Sequence, residues 1–72
     1  MDDIKQAIEE AEYFAVSLFR GVGAFDRGAC DSLVAARDMG RRMEAEANGS
    51  RLSLVYAVRK SRSVLVPRDF VL

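Results

Sequence analysis

The sequence predicts a two-layer α+β domain, a small antiparallel sheet packed by one or two helices. Three observations carry this. Apolar residues recur at helical spacing in two segments. Elsewhere they alternate at strand spacing. The chain has 72 residues and a mass of 8.0 kDa, enough for one small core and no more. Residues 1–72 are therefore read as one domain. Residues 1–11 form an N-terminal helix, 12–67 a strand–turn–strand–helix–hairpin unit, and 68–72 a tail.

In the first helix, Ile4, Ala7, Ile8 and Ala11 fall at i, i+3, i+4 and i+7, on one face. Asp2 and Asp3 stand where the helix dipole favours negative charge. Residues 12–19 admit two readings. Phe14, Val16 and Leu18 alternate onto one face of a half-buried strand. Ala11, Ala15 and Leu18 also continue the helical stripe. The strand is favoured, because a long helix leaves only one hairpin as sheet, and an isolated hairpin is marginal.

Gly21-Val22-Gly23 reads as a turn, and Ala24 to Cys30 as a short, irregular returning strand. Asp31 or Ser32 then caps a second helix over residues 32–47. Its stripe is Leu33, Ala36, Gly40, Met43 and Ala47. Gly40 on that stripe implies close approach of helix to sheet. Asn48-Gly49 tolerates the left-handed conformation that ends a helix. Leu52, Leu54, Tyr56 and Val58 alternate as the clearest strand, and their shared face is expected to be buried. Lys60-Ser61 marks a reversal, Ser63 to Val66 a last strand, and Pro67 its end. Tyr13, Phe14, Phe19, Phe25 and Tyr56 sit in apolar segments and are expected in the core. Phe70, Val71 and Leu72 form an apolar tail expected to dock.

Several stretches taken together resemble a family of short bacterial α+β proteins with no established activity. They are Phe19 to Arg27, Leu33 to Arg37, Val55 to Val58 and Ser63 to Pro67. The resemblance spans roughly residues 13–67 and implies the same strand–turn–strand–helix–hairpin order. It carries over no functional residue.

Composition bounds the chemistry. There is no His and one Cys, so neither an internal disulfide nor a structural zinc site is expected. No cofactor or metal is expected. Nor is self-contained catalysis, because no convergent pair of proton-transfer groups is visible. A basic leader and a long apolar run are both missing from the sequence, so a cytoplasmic protein that avoids membranes is expected. Small domains often need a staple or a partner. The expectation is thus a protein-interaction or adaptor module whose partner is itself, as a homodimer, or another protein.

The eleven basic and eleven acidic side chains cancel. Their order is uneven: residues 1–31 hold three basic and seven acidic groups, and residues 32–72 hold eight basic and four acidic. The bland account is attraction between the two halves. The alternative function is a weak nucleic-acid-binding accessory factor. Its basic patch would be Arg37, Arg41, Arg42, Arg59, Lys60 and Arg62, provided that helix end and hairpin tip converge. Asp38–Arg42, Arg42–Glu46 and Arg41–Glu44 spacings offer intrahelical pairing instead. The pI of about 6.2 also lies far below that of a basic nucleic-acid domain.

Two motifs dissolve on inspection. Gly21-Val22-Gly23 lacks the third glycine of a phosphate loop, where Asp26 stands, and no helix follows at once. Asn48-Gly49-Ser50 matches a glycosylation acceptor but reads as a helix end and turn. Cys30 reads as a small packed side chain.

Overall fold

The computed structural model describes residues 3–21, 23–49 and 51–71. Asp2, Val22, Ser50 and Leu72, each part of an expectation above, lie outside the described residues, as does the side chain of Asp3. The elements are α1 (Asp3–Glu10), β1 (Tyr13–Gly21), β2 (Ala24–Cys30), α2 (Leu33–Glu46), β3 (Ser53–Arg59) and β4 (Arg62–Val66). The four strands make one antiparallel sheet in the order β2-β1-β3-β4. Residues 13–19 are thus strand. Pairing on both sides supplies β1 with ladder partners that a continued helix would forgo.

Both helices pack on one face of the sheet. The core there is Phe14 and Val16 of β1, Leu33 and Ala36 of α2, Val55 and Ala57 of β3, and Val66 of β4. Ala7, Ile8, Ala11, Met39, Met43 and Phe70 pack around it. Phe70 docks as expected, whereas Val71 is exposed.

Local chemistry sets the ends of α2. Ser32 is the N-cap, and its Oγ accepts from the Ala35 N–H at 3.1 Å. At the other end Asn48 and Gly49 take φ of 58° and 71°, the left-handed geometry that stops a helix. Gly40 is buried against Ser53. A Cβ at position 40 would stand 2.5 Å from Ser53 Oγ and 3.7 Å from Val16 Cγ1. The close approach inferred from the helix stripe is therefore present.

Two expectations about burial are corrected. The alternating stripe Leu52, Leu54, Tyr56 and Val58 does not face the helices. The covered face of β3 is Ser53, Val55 and Ala57. Leu52 and Leu54 are exposed and Tyr56 is half-buried. Only Val58 of that stripe is buried, flanked across the ladder by Tyr13 and Ser63. The same parity turns Tyr13, Phe19 and Phe25 outward, so Phe14 alone of these aromatics is buried. The reason is alternation: β1 sends Phe14, Val16 and Leu18 to the helices, so its odd-numbered residues must take the other face. No described element covers that face.

Candidate functional site

The basic residues singled out from the sequence do not converge. Arg37 and Arg41, one turn apart on α2, line a cavity at the end of β4 with Ser53, Val66, Pro67 and Arg68. Arg59, Lys60 and Arg62 line another at the hairpin tip, beside Gln6 and Glu10 of α1. Leu18↔Ser53 and Tyr13↔Val58 pairing places these at opposite ends of β3.

Three of the six cations have other partners. Arg37 Nη2 donates to the carbonyls of Pro67 at 3.2 Å and Phe70 at 2.8 Å, tying the tail to α2. Arg42 pairs with Asp38 at 3.0 Å, and Arg59 with Glu10 at 3.0 Å. The Lys60 N–H donates to Glu12 at 2.9 Å. The acidic N-terminal segment thus sits on the basic hairpin tip, which is the bland account of the charge asymmetry. Among the described residues no carboxylate pairs with the side chains of Arg41, Lys60 or Arg62.

One charged cluster has no local signature. Glu44 Oε2 accepts from the Ser53 N–H at 2.7 Å, from Ser53 Oγ at 2.8 Å and from Arg68 Nη1 at 2.7 Å. It joins α2, the start of β3 and the tail. The Arg68 guanidinium, then the Ser53 N–H, hold the Glu44 carboxyl down from 4.5 to about 2, against the opposing effect of burial. Sequence reading offered Arg41 as the partner of Glu44. Arg68, 24 residues away, could not be found from spacing.

The second candidate surface is the helix-free face of the sheet. Exposure is 41% at Tyr13, 43% at Phe19, 49% at Phe25, 41% at Leu54 and 46% at Leu65. Phe19 and Phe25 are direct partners across β1 and β2, with ring centroids 5.3 Å apart and edge to face. The Arg27 guanidinium lies 5.5 Å from the Phe25 ring centre, and that of Arg51 lies 5.6 Å from Phe19. No strand residue on this face is acidic. Asp26 points to the helix side and pairs with Arg20 at 3.4 Å. Sequence reading missed this surface because it assigned these aromatics to the core.

Among the described residues there is no cluster of three or more metal-ligating side chains, and no helix long and apolar enough to cross a membrane. Set against protein-family models, curated proteins and solved structures, the chain matches none.

Proposed function

We propose that this protein is a small protein-interaction module that works as a homodimer, two copies packing sheet to sheet through their helix-free faces. The exposure of Tyr13, Phe19, Phe25, Leu54 and Leu65 on this one face carries this reading. An aromatic side chain has roughly 150–250 Å² to bury. At these exposures the five residues leave about 400–500 Å² of apolar area per copy in water. That is as large as the largest apolar patch on an ordinary monomer, about 300–600 Å². Two copies would bury about 900 Å² from these residues alone. Half-buried neighbours such as Ala15, Ser17 and Tyr56 would lift the total past the roughly 1,000 Å² that a specific interface needs. The face holds no carboxylate to desolvate, and its one strand cation, Arg27, sits at the β2 edge on Phe25. Aromatic residues and Arg are the types enriched in protein interfaces, and here they stand together at one corner of the face.

Sedimentation equilibrium from 1 to 50 µM, as order-of-magnitude bounds, tests the proposal. A dimer is expected, and Leu54→Lys or Phe25→Ser should give monomers with unchanged far-UV circular dichroism. A monomer at the top of that range overturns it.

One observation favours a second reading. The corner formed by Phe19, Phe25, Arg27 and Arg51 pairs exposed rings with arginines, the combination on which single-stranded nucleic acid stacks. Anisotropy of labelled oligonucleotides at low and moderate salt separates the two. Salt-sensitive binding by a monomer, lost in Phe19→Ala and Phe25→Ala, would replace the dimer by this reading.

A further inference from the structure

The cavity between α2, the start of β3 and the tail has a volume of about 170 Å³. Val55 and Val66, both buried, line it with Ser53 and Pro67, and Leu54 and Leu65 border it although their side chains turn to the helix-free face. Its rim carries Arg37, Arg41 and Arg68. Two of these cations are engaged: Arg37 with the tail carbonyls, and Arg68 with Glu44. Arg41 is exposed and has no ion-pair partner among the described residues. The lining itself holds these three cations and no carboxylate, so with Arg68 neutralised by Glu44 it keeps an excess of positive charge.

We infer that this cavity binds a carboxylate borne on a short aliphatic chain, the carboxylate meeting Arg41 and the chain lying on Val55 and Val66. An enclosed apolar cavity of about 150 Å³ in another protein accommodates benzene, so an acid of about five carbons is a probe of matching size for this more open one. Inorganic phosphate offers nothing to Val55 and Val66. A dicarboxylate would find one uncommitted cation for two charges. Arg41 can hold a carboxylate through two parallel N–H donors, which a neutral alcohol cannot exploit. The cavity borders Leu54 and Leu65 of the helix-free face, but the inference does not depend on the dimer.

The test is a titration followed by methyl NMR of the full chain, with pentanoate, pentanol and inorganic phosphate as probes. A capped peptide ending in Val, with a free or an amidated terminus, is the fourth probe. Pentanoate should shift the methyls of Val55 and Val66 saturably, with pentanol at least about tenfold weaker. Arg41→Met keeps the apolar stem and should lose about tenfold in pentanoate affinity, at an unchanged melting temperature. If the free-acid peptide binds more tightly than pentanoate and the amide does not, the natural source is a chain terminus. If pentanoate binds more tightly, the source is a free acid. Equal binding of pentanoate and pentanol, shifts located elsewhere, or an Arg41→Met protein with full affinity would overturn the inference. A monomeric protein that binds pentanoate would leave it intact while removing the dimer.

Discussion

Glu44 is the point at which acid should first loosen this fold. Its carboxyl is held at about 2, below its ordinary 4.5, by Arg68 and by two donors of Ser53. A depressed value means that the native state binds the proton less readily than the unfolded chain does. The stabilisation is therefore fully present above pH 4.5 and is lost as pH falls towards 2. Each pKa unit corresponds to about 1.4 kcal/mol, so full linkage gives about 3 kcal/mol. Arg68 is 54% exposed, and screening by water reduces this to about 1–2 kcal/mol. Glu44→Gln keeps the shape and one acceptor but removes the charge. Urea unfolding of both proteins, at one protein concentration and from pH 7 to 2, reads the difference directly. The other carboxylates titrate in both proteins and cancel. The native protein should be about 1–2 kcal/mol more stable at pH 7, with the gap narrowing only below pH 4.5. A gap that persists unchanged at the acid end, or none at neutral pH, refutes the assignment of Glu44 as the charged clamp.

Gly40→Ala should destabilise by about 1–2 kcal/mol in urea titrations. Overpacking against Ser53, which Glu44 holds in place, outweighs the roughly 1 kcal/mol gained in helix propensity. Phe14→Ala should cost about 3–5 kcal/mol in the same assay, as the loss of a buried ring with a cavity left behind. Ser32→Ala should cost about 1 kcal/mol through the lost cap at the start of α2. Arg37→Met should release the tail. Hydrogen exchange at the Phe70 amide, which donates to the Pro67 carbonyl at 3.1 Å, should quicken by about tenfold. The far-UV spectrum should stay unchanged.

What could be read along the chain was whatever neighbours in sequence decide. The second strand was expected at Ala24 to Cys30 and stands there. Ser32, one of two candidate caps, is the one that holds its helix. Asn48 and Gly49 end that helix in the geometry that their types allow. Gly40 announced a close contact without naming Ser53. The strand at residues 13–19 was legible only because a sheet needs more than one hairpin, a tertiary argument applied to a local ambiguity.

The candidate site was less legible. Six cations formed a patch only on the condition that two distant segments meet, and sheet register sends them to opposite ends. Arg41 lines a cavity because Pro67 and Arg68 fold back over α2, a contact that no spacing encodes.

Composition and periodicity were enough for a small α+β fold with no His, one thiol and no net charge. Caps, turns and periodicity, which act over a few residues, also located β2, α2 and the final hairpin, while they left the first strand open. Tertiary structure decided which side of each strand is inside. Apolar residues occupy both faces of β1 and β3, so alternation says that two faces exist but not which one the helices cover. Packing Phe14, Val55 and Ala57 beneath α1 and α2 left Phe19, Phe25 and Leu54 facing outward. A side chain can enter the core only where some element is long enough to cover it, and these two helices cover one face.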